Sequence, residues 1–363
     1  MDRPGQLTSP APPHIISFMS TTLLPPPASV GRLLIWHQGA LGDLLLAMPA
    51  LAAISGHFPQ ARVTASGHPE RWGLLAPSLS LDEIWDSSQS QWAPLFVDKS
   101  LPPKLAERLA RFQLALIFSP RQQGELQARL HQAGIPAVQW LPSFPETGTD
   151  SVADLQAGHL AALGLHYQPA PFKLTLINNP ADASPTLPGP GPWLAVAPGS
   201  GQARKNWPLS HYYKVSRALA WEFNLQVLWL AGPAEEATLP YLQSLAQAQG
   251  QVLLANRPLA QVARILSRCR LYLGNDSGLT HLAAAVAGPD VLALFGPTDP
   301  RVWAPLGPHV HPLTAPCPKA PCAAGRLIPC PEPVCLEALS PDSVLAAAAR
   351  FLAAPELPEA KGI

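Results

Sequence analysis

Charge is scarce in this chain. Of 363 residues, 24 are Lys or Arg and 24 are Asp or Glu, leaving a formal net charge of zero. A nucleic-acid footprint needs a surplus of basic side chains on one face, so this balance argues against that class of partner, though not against a local basic patch. Long apolar runs are missing as well. Nothing reaches the roughly 18 residues of a membrane-spanning helix, and Met1–Val30 lacks a basic start followed by an apolar core. The expected location is the cytoplasm, with any membrane contact peripheral. Cysteine is sparse too: there are five, and four of them, Cys317, Cys322, Cys330 and Cys335, fall together. A cytosolic chain keeps thiols reduced. Four residues intervene in each pair, wider than most structural zinc sites use, so the cluster reads either as a zinc site or as free thiols in a proline-rich loop. No G-x-G-x-x-G follows the first expected strand, which disfavours a dinucleotide dehydrogenase.

Proline, by contrast, is abundant, with 45 residues, and three stretches are especially rich in it. Residues 1–30 hold seven and little periodicity, the signature of a disordered extension; Met19 is an alternative start. Residues 169–192 hold seven more and read as a linker, while 305–341 hold ten, include the cysteine cluster and read as a long irregular loop. The length suits about two domains. The expected division is an extension over 1–30, one domain over 31–172, a linker over 173–192, a second domain over 193–340, and a C-terminal helix and tail over 341–363.

Between these punctuations short apolar runs alternate with amphipathic stretches. Strands are expected at Arg32–Trp36, Ala61–Ala65, Leu114–Phe118, Trp193–Ala197, Gln226–Leu230, Val252–Leu254, Leu271–Leu273 and Val291–Phe295. Helices are expected at Asp43–Phe58, where Pro49 forces a kink or a new start, and at Ser210–Phe223, Glu235–Gln249, Leu259–Arg268 and Leu279–Ala287. The alternation implies an α/β chain of two parallel, doubly wound sheets. Ligands then bind in the cleft outside the carboxyl ends of the strands.

The richest segment is Arg270–Leu282, R-L-Y-L-G-N-D-S-G-L-T-H-L. A strand, a turn and a helix start follow in order, and a helix start offers free N–H groups and a positive dipole end to phosphate. Taken alone it is equally a strand–turn–helix junction in which Ser277 or Asp276 caps the helix.

Its company is more specific. Gly39-Ala40-Leu41-Gly42-Asp43, Pro198-Gly199-Ser200, Lys205-Asn206-Trp207-Pro208, Gly232-Pro233-Ala234-Glu235, the G-N-D-S-G-L-T-H run and Phe295-Gly296-Pro297-Thr298-Asp299-Pro300 occur in this order. Over roughly residues 31–353 the series resembles glycosyltransferase family 9, the heptosyltransferases of lipopolysaccharide core synthesis. The resemblance implies a GT-B fold of two Rossmann-like domains. It further implies inverting, metal-independent transfer from a nucleotide sugar, usually ADP-heptose, with no other cofactor. The absence of a D-x-D motif agrees with this. The implied acceptor is a lipid-linked glycan at the inner membrane surface. Transfer of another nucleotide-activated sugar, epimerisation of such a donor, or a non-catalytic nucleotide-sugar-binding protein are the alternatives.

By this resemblance Asp43 is the catalytic base, although an Asp there also suits a helix cap. Lys205 binds the donor phosphates, with Arg204 beside it; a solvated surface pair is the bland alternative. Ser277, Gly278 and Leu279 offer N–H groups to the diphosphate, and Asp276 and His281 contact the donor. Ser200 and Thr298 line the same pocket, with Asp299 beside Thr298. Glu235, or Glu236 one residue later, binds the ribose. Gly39, Gly42 and His37 lie on the acceptor side. The family commonly has Arg where His37 stands, which puts the identity of the acceptor in doubt. Lys104, Arg108 and Arg111 recur at helical spacing, facing either an anionic acceptor or solvent.

Overall fold

The computed structural model describes residues 23–97, 100–146, 150–177, 187–189, 191–315, 317 and 334–353. The apolar runs form two parallel sheets. In the first, β1 (Arg32–His37), β2 (Arg62–Gly67), β3 (Leu81–Asp86), β4 (Leu114–Ser119) and β5 (Ala137–Pro142) are ordered β3-β2-β1-β4-β5. In the second, β6 (Trp193–Ala197), β7 (Gln226–Ala231), β8 (Val252–Ala255), β9 (Leu271–Asn275), β10 (Asp290–Phe295) and β11 (Val310–Thr314) are ordered β11-β10-β9-β6-β7-β8. The inner strands are buried on both faces: Leu33, Leu34, Ile35 and Trp36 of β1 and every residue of β4 are buried. Helical crossovers cover both sides of a parallel sheet, which explains their unbroken apolar sequences.

Several expected boundaries change. The helix expected over 43–58 is two, Leu41–Leu46 and Met48–His57, and Pro49 sits in the first turn of the second, where no backbone N–H is needed. The helix expected over 235–249 begins as a 3-10 turn, Pro233–Thr238, before Leu239–Ala248. Residues 23–30 are folded against the first domain rather than part of an extension. The Leu24 N–H donates to the Leu163 carbonyl at 2.9 Å, Pro27–Ser29 is a 3-10 turn, and Val30 is buried. Residues 1–22 lie outside the described set. The span 305–341 is not uniformly irregular: β11 is an edge strand, where Pro312 is tolerated, and Val334–Glu337 is helical.

One buried apolar cluster runs through both domains, from Leu33 and Leu51 to Tyr272 and Ala293. Helix Leu41–Leu46 packs against helix Gly278–Ala285 across the interface, and the C-terminal helix Pro341–Leu352 lies on helix Leu209–Phe223. Among the described residues no helix is long and apolar enough to cross a membrane.

Candidate active site

The turn after β1 brings Gly39 and Asp43 to the carboxyl end of the first sheet. Asp43 is the third residue of helix Leu41–Leu46, not its N-cap. Its Oδ2 accepts the Ala40 N–H at 3.0 Å, so the carboxylate holds the helix start from inside. Gly39 is required by the tightness of this turn, because a Cβ there would lie 2.7 Å from His37 Cε1 and 3.0 Å from Asp43 Oδ2. Burial raises the Asp43 pKa, against the lowering effects of the Ala40 hydrogen bond and of His281 and Lys205 across the cleft.

His37 lies behind this turn, not in the cleft. It is 1% exposed, and burial lowers its pKa to about 4, so it stays neutral at physiological pH and carries no charge for an acceptor. Its Nδ1 accepts the Gly39 N–H at 3.2 Å, which assigns the ring proton to Nε2. The cation at this turn is Arg71, whose Nη1 donates to the Gly39 carbonyl at 2.8 Å. Arg71 comes from the helix after β2, and no local motif in the sequence signals it.

The facing wall belongs to the second domain. Asp276, at the end of β9, is almost fully buried; its Oδ2 accepts from Lys205 Nζ at 2.7 Å and from Thr298 Oγ1 at 2.7 Å. His281 Nε2 stands 3.9 Å from Oδ1, beyond direct hydrogen-bond length. Burial acts upward on the Asp276 pKa, but the neighbouring His281 imidazole and Lys205 ammonium outweigh it and hold the pKa at about 2. Asp276 is therefore an anion that fixes the position of a cation. Ser277 caps helix Gly278–Ala285 through its backbone and not its side chain, so its hydroxyl is not committed to the cap. Gly278 lets the two domains touch: a Cβ there would lie 3.1 Å from Leu41 Cβ and 3.4 Å from the Gly42 nitrogen.

A cleft of about 700 Å³ between the domains is lined by Gly42, Asp43, Arg204, Lys205, Asp276, Ser277, Gly278, His281 and Thr298. These are the residues that the sequence motifs singled out on both sides. Phe144 and Trp303 also line it; they meet across the domains with ring centroids 5.3 Å apart, and neither stands out in the sequence.

Other candidates sit elsewhere. Ser200 Oγ lies 2.8 Å from the Gln202 carbonyl and 2.6 Å from Asn206 Oδ1, where it shapes the loop that carries Lys205. Glu235 is 5% exposed, and its Oε2 accepts the Gly232 N–H at 2.7 Å, tying down its own turn. Leu279 does not line the cleft with its side chain. Asp299 caps the short helix Pro300–Trp303 by accepting the Arg301 N–H at 2.9 Å. Arg108 pairs with Glu83 at 2.6 Å and lies over the Trp85 ring, and Arg111 pairs with Glu107, so this face is a structural one. Cys335 is buried and Cys317 half-buried; Cys322 and Cys330 lie outside the described residues. Among the described residues no group of three or more His, Cys, Asp and Glu is placed to hold a metal.

Two parallel, Rossmann-like domains that face each other across a cleft at the carboxyl ends of their strands define the GT-B architecture. The family described as Glycosyltransferase family 9 (heptosyltransferase) matches residues 157–327, and the chain is similar to it over that stretch. It is 35% identical over 120 residues to lipopolysaccharide heptosyltransferase 2 of Salmonella typhimurium, covering 32% of this chain and 34% of that protein. The shared stretch thus spans about a third of that relative. Among solved structures, a family 9 glycosyl transferase from Veillonella parvula superimposes with a TM-score of 0.68 at 16% identity, over 89% of this chain and 97% of that one. The ADP-heptose lipopolysaccharide heptosyltransferase II of E. coli gives 0.65 at 18%, over 89% and 98%. At these identities the structural likeness speaks for the fold.

Proposed function

We propose that the protein is an inverting, metal-independent glycosyltransferase that moves heptose from ADP-heptose onto a hydroxyl of a lipopolysaccharide-core or related glycan. The observation that carries this reading is the pairing, within one cleft, of Asp43 on one domain with Lys205, Asp276, Gly278 and His281 on the other. An E. coli structure of like fold is an ADP-heptose enzyme by name, which supports the choice of donor.

In this reading the diphosphate lies at the start of helix Gly278–Ala285, where the first-turn N–H groups, the Ser277 hydroxyl and the Lys205 ammonium meet it. Asp276 holds Lys205 in place. Asp43 Oδ2 is occupied by the Ala40 N–H, and Oδ1 takes the proton of the acceptor hydroxyl as its oxygen attacks the anomeric carbon. The bond from that carbon to the diphosphate breaks on the opposite face, which inverts the centre. The charge left on the phosphate is met by Lys205 and the helix N–H groups, the role a metal ion plays in other transferases. The lipid-linked acceptor would be met at the inner membrane surface, with the enzyme cytoplasmic and peripheral.

Asp43→Asn tests this directly. Transfer measured as ADP release should fall by about a hundredfold or more, while ADP binding by calorimetry is kept; full turnover in the variant would sink the assignment. Titration against ADP, UDP, GDP and CMP tests the donor, and a preference for UDP would overturn heptose.

A further inference from the structure

At the end of the second sheet away from the cleft lies another concavity, of about 1100 Å³. It opens at the amino ends of β6, β9 and β10, where Pro192, Arg270 and Asp290 stand side by side. Helix Gly278–Ala285 runs between the two spaces. Gly278 and His281 line the cleft, and Ala284, in the last turn, lines this groove. The helix has eight residues, about 12 Å at 1.5 Å each. The groove also borders the segment that joins the domains. There the Leu174 N–H donates to the Ala285 carbonyl at 2.7 Å, and the Thr175 N–H donates to Ser78 Oγ of the first domain at 2.9 Å.

Overall neutrality leaves room for a local basic patch, and this groove is one. Lys173, Arg268, Arg270 and Arg350 line it against one carboxylate, Asp290. That carboxylate is already committed: Arg270 Nη1 donates to its Oδ2 at 3.2 Å, and His311 Nε2 stands 3.6 Å from its Oδ1. Among the described residues no carboxylate pairs with the exposed side chains of Lys173, Arg268 and Arg350. Their backbones are held on three sides of the groove. Phe172 packs against the core beside Lys173, and the buried Cys269 follows Arg268. The Phe351 ring, next to Arg350, stacks on His311 with centroids 3.6 Å apart, and its carbonyl accepts Arg270 Nη2 at 3.2 Å. Cations gathered without counter-charge repel one another, and a bound anion removes that cost. The two guanidinium forks match phosphate oxygens in pairs, and the ammonium adds a compact charge. One carboxylate would answer only one of the three, whereas two phosphates carry enough charge for all. We infer that this groove binds an anion bearing two or more phosphate groups. The site is separate from the cleft and does not depend on the transfer reading. Such groups occur free in solution, as in pyrophosphate, and on lipid headgroups.

The test uses the full chain in two arms. In one, inorganic pyrophosphate is titrated by calorimetry in the presence of excess ADP, which occupies the cleft. In the other, the protein is sedimented with phosphatidylcholine vesicles made with and without cardiolipin, whose headgroup carries two phosphates. Arg268→Gln combined with Arg350→Gln should weaken the binding by about tenfold or more, and adding Lys173→Gln should weaken it further. Lys104→Gln, an exposed change on the first domain, should leave it unaltered. Without anion the double variant should melt no lower than the wild type, because the change relieves repulsion. Pyrophosphate binding with this pattern assigns the phosphates to a soluble ligand, and cardiolipin-dependent sedimentation with the same pattern assigns them to a headgroup. Binding in neither arm, binding that the double variant leaves intact, or an equal loss in Lys104→Gln overturns the inference. So does a marked drop in the melting temperature of the double variant, which would make these side chains part of the fold's own support.

Discussion

Removing the Lys205 ammonium should damage the protein in a way that depends on pH. In the wild type Asp276 is almost fully buried, lies 2.7 Å from Lys205 Nζ, and has its pKa lowered from 3.8 to about 2. A depressed folded-state pKa stabilises the fold above the unfolded value of 3.8, and that stability is lost as pH falls through about 2. The shift corresponds to about 2 kcal/mol at neutral pH. In Lys205→Met the cation is gone, while burial, which pushes the carboxyl upward, remains. The folded pKa then rises from about 2, with His281 and Thr298 still holding it down, and most of the stabilisation that the ionised carboxylate brings at pH 7 is lost. Breaking one side of a buried pair costs about 3–5 kcal/mol; the retained Thr298 hydroxyl bond places this case near the lower end.

Urea unfolding at pH 7 and at pH 4 separates this from a simple packing defect. At pH 4 the variant can protonate Asp276, so its deficit should shrink by about 1 kcal/mol or more. Adding Asp276→Asn should restore about 1–2 kcal/mol at pH 7 relative to the single variant, yet donor binding should stay weak because Lys205 is still missing. A deficit that is the same at both pH values, or a double variant no more stable than Lys205→Met, refutes the reasoning.

Three other expectations follow from the same geometry. His37 has a folded pKa of about 4 against 6.5, so the unfolded chain binds its proton first as pH falls; stability is full above 6.5 and about 3 kcal/mol is lost by pH 4. A His37→Met variant should lack that slope in a pH series of urea midpoints. A Cβ at Gly199 would overlap Glu235 Oε1 beneath it, so Gly199→Ala should cost about 1–3 kcal/mol in thermal or urea unfolding. Arg71→Met frees the Gly39 carbonyl and loosens the turn that carries Asp43; kcat should fall by about tenfold to a hundredfold while ADP affinity by calorimetry is unchanged.

How much of this was legible depended on where each residue stands. The central strands read clearly, and β6 was expected over the residues it occupies, Trp193–Ala197. A strand buried on both faces must be apolar throughout. The strands that escaped notice are edges. β3 carries Asp82 and Glu83 on exposed positions, β5 mixes Gln139 among apolar residues and ends in Pro142, and β11 contains Pro312. With one neighbour and more solvent, such strands lose the continuous apolar run that announces them. The site shows the same division. Asp43, Lys205, Asp276 and Gly278 lie in local motifs at strand ends and could be named before their meeting was seen. Arg71 reaches the Gly39 turn, and Phe144 and Trp303 reach the cleft, only through the packing of separate elements, and nothing adjacent in sequence marks them. Glu235 shows the opposite limit, since its motif was visible but not that its carboxylate turns back onto the Gly232 N–H.

For Asp43, holding the helix start and serving as the proposed base are compatible rather than competing roles. A general base must present one oxygen at a fixed angle, and an unrestrained carboxylate on a half-buried helix start would rotate. The Ala40 N–H binds Oδ2 and so fixes the plane of the group, while among the described residues Oδ1 accepts no hydrogen bond. The same bond lowers the pKa against the burial that raises it, and the net shift is upward, so the group is more basic than an exposed Asp. Arg71 and His37 grip the Gly39 backbone on either side, so the restraint reaches from two elements of the first domain to the carboxylate. On the facing domain Asp276 fixes Lys205 in a corresponding way. On both faces a hydrogen bond orients the group that the proposed transfer would use, Asp43 through the Ala40 N–H and Lys205 through Asp276, and the two domains meet at Gly42 and Gly278.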